Sequence, residues 1–514
     1  MTDGDSARAR VVVIGGGIAG LAAAYRLRRH APPGTVITVV EGSGHLGGKL
    51  RTSPVEGLPV DEGAETFLAR VPEAVDLATD VGLGGELVHP DTTSARLMVG
   101  GAARPLPAGM FGIPGDLVGL RASGVLSEAG YAAVEAEAGL PAEPLVGDVA
   151  VGEYVGRRMG REVVDRLVDP LLGGVYAGRA DLLSLRATMP GLAAALDPAS
   201  GAGPRSLLAV ASAAAGAGTA GAGAARAGAA GGGAAGAGGG RAASAAPAPV
   251  FATLRSGLGT LPAAVARASG AEVRCDLVVR DIERTATGFR LTAGPVPRPE
   301  YLTADAVVVA VPAGKAAGML AGIAPPAATE LRAVEYANIG LVTLAYPLAA
   351  LPPGGLTGSG LLVPATEGRS VKAATFFSLK WGHLRRPGGP FVLRASVGRH
   401  GEAGVLHRAD ADLAALVAGE VAELTGITGA PVTSRVSRWG GGLPQYEVGH
   451  LDRVRRIRAA VADVPGLAVC GAVYDGVGVP ACIRSGYTAA DRVLAHLRTP
   501  SGPGTHVSDE HTGV

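Results

Sequence analysis

Gly15, Gly17 and Gly20 stand at the spacing G-x-G-x-x-G within VVVIGGGIAG, and Glu41 closes the next apolar run, Val36–Val40. At that spacing the first glycine lets the chain reverse and the second lets backbone N–H groups approach a pyrophosphate. The third lets a helix pack closely on a strand. An acid on the order of 20 residues past the last glycine is placed to accept from a ribose hydroxyl. Gly16, Ile18 and Ala19 complete the turn, and Gly42 follows the acid. The chemistry these residues can do is dinucleotide binding.

Two further small-residue turns follow. GSGHLGGKLRT holds Gly47, Gly48 and two cations, Lys49 and Arg51, that can neutralise phosphate. DEGAETF holds Gly63, Ala64, Glu65 and Thr66 behind the acids Asp61 and Glu62. No Ser/His/Asp set or paired carboxylate stands at a telling spacing, and His383, His400 and His407 have no carboxylate placed to orient them. No catalytic side chain is assigned. The cysteines Cys275, Cys470 and Cys482 form no C-x-x-C pair, so no metal is expected and reduced thiols are.

Several elements must position these turns. Val11–Ile14 reads as a buried parallel strand, LAAAYRLRRH as a helix with an apolar stripe, and Val36–Val40 as the second strand. VPEAVDLATDVGL reads as a helix, and SARLMVGGAARPLP as two strands around Gly100-Gly101. Residues 115–200 read as mainly helical, with Asp148 as an N-cap. Ala211–Pro247 is almost all Ala, Gly, Ser and Pro and reads as a disordered or weakly helical insertion. ADAVVVAVPA reads as a buried strand, four stretches over 330–440 as antiparallel strands, and LAVCGA as a strand leading to a helix near Pro480. The sequence after Arg498 reads as a disordered tail.

A net charge of +1 over 514 residues excludes a bulk nucleic-acid binder. MTDGDSARAR carries no apolar h-region, so no secretory signal is expected. Ser206–Ala225, a long uncharged run of mostly Ala and Gly, has too little apolar surface for a membrane span.

The G-x-G-x-x-G turn, the acid after strand two, LGGK and DEGAETF together resemble the flavin-dependent amine-oxidase and protoporphyrinogen-oxidase superfamily. Gly47, Gly48 and Gly63 make the implied cofactor FAD, since a plain NAD-binding fold has no counterpart to them. GGVYAG (173–178), PQYEVGH (444–450) and GVGVPACIRSG (476–486) are similar to segments of the porphyrinogen oxidases. The resemblance implies an α/β fold with a discontinuous Rossmann-like, GR2-type FAD-binding domain over 1–70, 251–320 and 441–498. A mixed α+β substrate-binding lobe would span 71–110 and 321–440, a helical lobe 111–200, an Ala/Gly-rich disordered insertion 201–250, and a disordered tail 499–514.

The same resemblance implies FAD contacts at Gly15 to Gly20, Glu41, Gly42, Gly48, Lys49, and Gly63 to Thr66. It adds a backbone contact to the adenine at Val279, an aromatic approach to the flavin at Trp439, and backbone contacts at Val477, Gly478 and Val479. There the last helix would point at the flavin edge where negative charge collects on reduction. Arg96 would meet a substrate propionate, and Gly174 and Val175 would put bare backbone against the macrocycle. The implied reaction takes six electrons from a porphyrinogen in three hydride transfers from a meso carbon to flavin N5, with oxygen as acceptor and hydrogen peroxide released. The composition hints at a GC-rich genome, and family members from GC-rich Gram-positive bacteria are usually of the coproporphyrinogen type, so the resemblance implies coproporphyrinogen III as substrate. Protoporphyrinogen IX is the alternative, an amine oxidase or carotenoid desaturase the distant third, and a non-catalytic binding module of this fold the reading of another class. The implied setting is the cytoplasm, at most loosely associated with a membrane, with no integral membrane segment and no nucleic acid. A ferrochelatase is the candidate for a transient contact.

Overall fold

The computed structural model describes residues 8–141, 143–197, 206–216 and 249–498. Five parallel strands form the central sheet, in the spatial order Glu272–Arg274, Val36–Val40, Arg10–Ile14, Ala306–Val309 and Leu467–Val469. Val11 and Val13 join one core cluster with the helix Ile18–His30, and Val12 and Ile14 join another with the helix Ala313–Leu320. Burial on both faces is why these strands are continuous apolar runs without alternation. Three stretches far apart in sequence supply this one sheet. The last helix, Val479–Arg498, packs across the first so closely that a Cβ at Gly486 would strike the Ala19 carbonyl.

A second sheet has seven strands, in the order Thr433–Pro444, Tyr336–Tyr346, Phe391–Val397, Val371–Thr375, Gly360–Leu362, Ala95–Val99 and Ala102–Pro105. Its strands are antiparallel except Gly360–Leu362 against Ala95–Val99, which run parallel. The strands expected over 330–440 pair antiparallel throughout; the one parallel pair arises because Ala95–Val99 joins their edge from a distant stretch of chain. One face, with Met98, Leu361, Ala395 and Val397, packs under the helix Asp410–Thr425. The other face carries Leu97 and Leu362 into a third core built from the helices between residues 117 and 216.

Two expectations change in that helical unit. Asp148 does not cap the helix Val151–Met159; its carboxylate accepts from Ser184 Oγ at 2.7 Å and from Gly449 N at 2.8 Å, joining the helical unit to the segment after residue 444. The disorder expected over 201–250 does not hold at Leu207–Gly216, which is a helix with Leu207, Val210 and Ala211 buried. Its first N–H groups, at Leu207 and Leu208, donate to the buried Glu137, which also pairs with Arg158 at 2.7 Å. Residues 217–248 and 499–514 lie outside the described residues. Among the described residues no helix is long and apolar enough to cross a membrane.

Candidate functional site

Gly15 turns at φ +109, where its N–H donates to Val40 O at 2.8 Å and a Cβ would collide with Ala310 O. A Cβ at Gly20 would strike Gly15 O, so this glycine is required by helix–strand packing. Gly17 is different: it has an ordinary φ of −72, and a Cβ there would meet nothing within 4 Å. It stands at the N-cap of the first helix, which has no side-chain cap and no acid in its first turn. Ile18 and Ala19 are buried behind it. The space in front of Gly17 thus faces open N–H groups and a positive helix end, the environment a phosphate requires.

Glu41 lies at the edge of that space. Its Oε2 accepts from Gly16 N and its Oε1 from Ser43 N, each at 2.8 Å, which fixes the carboxylate at the rim. Gly42 is exposed beside Val278, and Leu277 N donates to Glu41 O at 3.0 Å, so the strand containing Val279 is brought against the acid. The Val279 side chain itself is buried in the core below.

The second glycine turn folds onto the first. Gly47 N donates to Gly16 O at 2.8 Å, and a Cβ at Gly48, at φ +57, would lie 3.5 Å from Gly17 Cα. Lys49 follows. It is half-buried, burial holds its ammonium below the usual range, and no hydrogen-bond or ion-pair partner meets that ammonium among the described residues.

The third turn closes on both. Ala64 N donates to Lys49 O at 3.2 Å, and a Cβ at Gly63 would strike that same carbonyl. Trp439 Nε1 donates to Glu62 O at 2.7 Å and sets the ring against Gly63. Two of the expected contacts in this turn are committed elsewhere. Thr66 Oγ1 donates to Ala252 O at 3.0 Å, and the Glu65 carboxylate is held by Lys380 at 2.5 Å and Arg394 at 2.7 Å. Only the backbone of these two residues is left to a cofactor.

The far wall is built from two motifs distant in sequence. The glycine pair 173–174 lies inside the helix Asp169–Tyr176, which ends on Ala177 in the left-handed region at φ 51. Gly174 is exposed, and a Cβ there would meet only Leu362 Cδ2, at 3.9 Å. Gln445 Nε2 donates to Tyr176 O at 2.8 Å, Tyr446 lies 5.5 Å from Tyr176 between ring centroids, and Ser184 N donates to Tyr446 O at 2.8 Å. His450 stacks on Tyr446 at 4.1 Å, and its Nε2 donates to Val473 O at 2.9 Å. Burial pushes this imidazole down to about 4, so it is neutral near pH 7 and acts as packing. Tyr446 O–H donates to Ala472 O, which pins the approach to Val477, Gly478 and the start of the last helix at Val479. Val175 and Val477 both pack, partly buried, on the cluster containing Tyr176, Leu362 and Tyr446.

Arg96 is not brought to this wall. Alternation along Ala95–Val99 puts it on the face of Met98 and Leu361, while Leu97 and Leu362 take the face turned to Gly174. Its Nη2 donates to Ala103 O at 2.7 Å on the adjacent strand.

The chain matches the family of flavin-containing amine oxidoreductases over residues 18–494. It is 36% identical to the coproporphyrinogen III oxidase of Mycobacterium tuberculosis H37Rv, over 94% of this chain and 97% of that one. It is 31% identical to that of Bacillus subtilis, over 97% and 100%. The chloroplastic protoporphyrinogen oxidase 1 of Arabidopsis thaliana is 26% identical, over 94% and 87%. A crystal structure from Exiguobacterium, provisionally assigned as a protoporphyrinogen oxidase, superposes with a TM-score of 0.79 at 31% identity, over 96% of this chain and all of that one. The chain belongs to the flavin-containing amine oxidoreductases, in their porphyrinogen-oxidase branch.

In this family the open spaces just described have one reading: the cofactor is FAD. The chain's own geometry fits it. Gly17 and Gly48 leave a cradle that no protein atom fills, Lys49 offers a cation without a counter-ion among the described residues, and the Glu41 carboxylate is fixed at the rim. Lys380 and Arg394 escaped the sequence reading, as did the actual roles of Gln445 and Asp148, because each acts through a partner more than 200 residues away. One signal was available. Lysine is scarce in this Arg-rich chain, and of its four lysines only Lys315 is exposed.

Proposed function

We propose that this flavoprotein oxidises coproporphyrinogen III to coproporphyrin III, with oxygen as acceptor and hydrogen peroxide as by-product. The observation that carries the reading is the contact of GGVYAG with PQYEVGH beside the start of the last helix. It leaves the backbone of Gly174 exposed beside Leu362, with Val175 and Val477 packed on the same apolar cluster. A flat tetrapyrrole suits such a surface, because apolar walls and a bare helix turn exclude water without crowding a ring.

FAD, when bound, supplies the hydride acceptor and the route to oxygen. The chain's residues do the rest by holding and shielding. The open N-terminus of the first helix and Lys49 balance the pyrophosphate charge, and Glu41 orients the ribose. The first turn of the last helix sets backbone N–H groups where negative charge develops. Trp439, tied to Glu62 O, fixes the Gly63 turn. Neutral, buried His450 and Tyr446 hold the wall and move no proton. The absence of an acid–base pair in the sequence agrees with chemistry that needs orientation more than proton transfer.

Free thiols at Cys275, Cys470 and Cys482 support assignment to the cytoplasm. A ferrochelatase is the proposed recipient of the product. The test is an aerobic assay with each porphyrinogen in turn, reading porphyrin fluorescence and peroxide. Faster turnover of coproporphyrinogen III is expected. Faster turnover of protoporphyrinogen IX would reverse the substrate assignment, and a protein purified without a flavin spectrum would end the enzymatic reading.

A further inference from the structure

Behind Gly174, the helix Asp169–Tyr176 and the seven-stranded sheet leave a partly enclosed cavity of about 190 Å³, on the order of six water volumes. Gly173 and Val363 line it, each one residue along from Gly174 and Leu362. The cavity therefore neighbours Gly174 and Leu362 along the chain, although Val363 packs on the sheet face opposite to Leu362.

Its charge is unusual. Lys372 lies in the wall with only 7% of its surface exposed, and its Nζ donates to Gly398 O at 2.9 Å. No carboxylate pairs with it among the described residues. A lysine this deeply buried is almost always paired, because an ammonium taken out of water without a counter-ion is expensive. Burial and the neighbouring Arg399 push Lys372 down to about 7, outweighing the attraction of Glu402. Arg399 is fixed by two carbonyls, Arg369 O at 2.9 Å and Val363 O at 3.0 Å, and reaches a carboxylate only at Glu402, 3.7 Å away and well exposed. Arg179 adds a third, exposed cation. The half-buried acid of the wall, Asp169, turns Oδ1 to Ala180 N at 2.8 Å. Cations therefore exceed acids in the wall.

We propose that this cavity binds a carboxylate through Lys372 and Arg399, presented by a propionate arm of the tetrapyrrole or by a free small carboxylate. The first source rests on the function proposed above; the second does not. A carboxyethyl arm has five non-hydrogen atoms and fits the volume.

The experiment compares the flavin-loaded wild type with Lys372→Met, after flavin content and melting temperature have established that the variant is folded. Coproporphyrin III binding is followed by fluorescence titration, and free propionate by thermal shift. If the arm is the ligand, Lys372→Met weakens coproporphyrin III binding about tenfold, the scale of one charge-assisted hydrogen bond. If the free ion is the ligand, propionate raises the melting temperature of the wild type and not of the variant, and coproporphyrin III binds both alike. Wild-type and variant proteins indistinguishable in both titrations would overturn the carboxylate site while leaving the proposed reaction standing. A wild type that binds no coproporphyrin III refutes the substrate reading instead, and the propionate titration then decides the site alone. Should the variant not fold, the wild-type propionate titration decides, and no shift overturns the site.

Discussion

Gln445 Nε2 donates to Tyr176 O at 2.8 Å, across 269 residues of sequence. The same amide leaves so little room beside its Oε1 that Gly178 admits no Cβ. One buried side chain therefore holds the end of the Asp169–Tyr176 helix against the segment leading to Tyr446 and His450. Replacing Gln445 by Leu leaves the Tyr176 carbonyl without its donor, at a cost of about 1–3 kcal/mol. The expected outcome is a lower melting temperature together with a raised KM for the porphyrinogen, measured by calorimetry and steady-state fluorescence. A loss of stability with an unchanged KM would detach this contact from the substrate wall.

Gly174→Ala should separate binding from stability. The position is helical and a methyl group there is tolerated by the protein, so stability should hold or rise by about 0.5–1 kcal/mol. The methyl would project into the proposed ring space, so KM should rise several-fold. Equal kinetics in both proteins would place the ring elsewhere.

Gly17 and Gly20 should behave as opposites despite sharing one motif. Gly17→Val meets open space at an ordinary φ, so the protein should fold and purify with little or no flavin absorbance. Gly20→Val would collide with Gly15 O and Val13, so it should lower expression and melting temperature before any question of flavin arises. The readouts are the visible spectrum and the melting curve of each variant.

Asp61 and Glu65 are buried acids with shifts of opposite sign. Burial raises Asp61 to about 6, against hydrogen bonds from Thr52 Oγ1 and Leu258 N. For Glu65, burial also pushes upward, but Lys380 and Arg394 outweigh it and hold the carboxyl below its ordinary value. Between about pH 4 and 6 the folded state binds more proton at Asp61 than the unfolded state, so this group makes stability fall as pH rises through that window. Asp61→Asn should gain on the wild type across it and hold a constant difference above. Glu65 works the other way: its contribution is complete above the ordinary carboxylate range and is lost as pH falls through it and below. Glu65→Gln should lose about 3–5 kcal/mol near pH 7, where it leaves Lys380 and Arg394 without their anion, and the deficit should shrink in acid. Urea melts across pH 3.5 to 8 test both; parallel curves for all three proteins would refute the assignments.

The glycine turns and the acid at Glu41 were legible because their requirements are local. A chain that must reverse, approach a phosphate or admit a helix needs glycine at that position whatever surrounds it. Composition was a poorer guide at Leu207–Gly216, where a few large apolar residues and the distant Glu137 order a helix inside an Ala/Gly-rich region.

By itself, the sequence determined the FAD turn and four of the five strands of the central sheet, since each is written in adjacent residues under short-range steric rules; the motifs of the far wall were legible through their resemblance to known segments. Only the tertiary structure decided that Glu65 is held by Lys380 and Arg394, that Asp148 joins two units instead of capping a helix, and that Arg96 faces away from Gly174. The reason is that side-chain pairing and strand facing depend on which distant element arrives opposite. That is fixed by long-range packing, and no spacing along the chain records it.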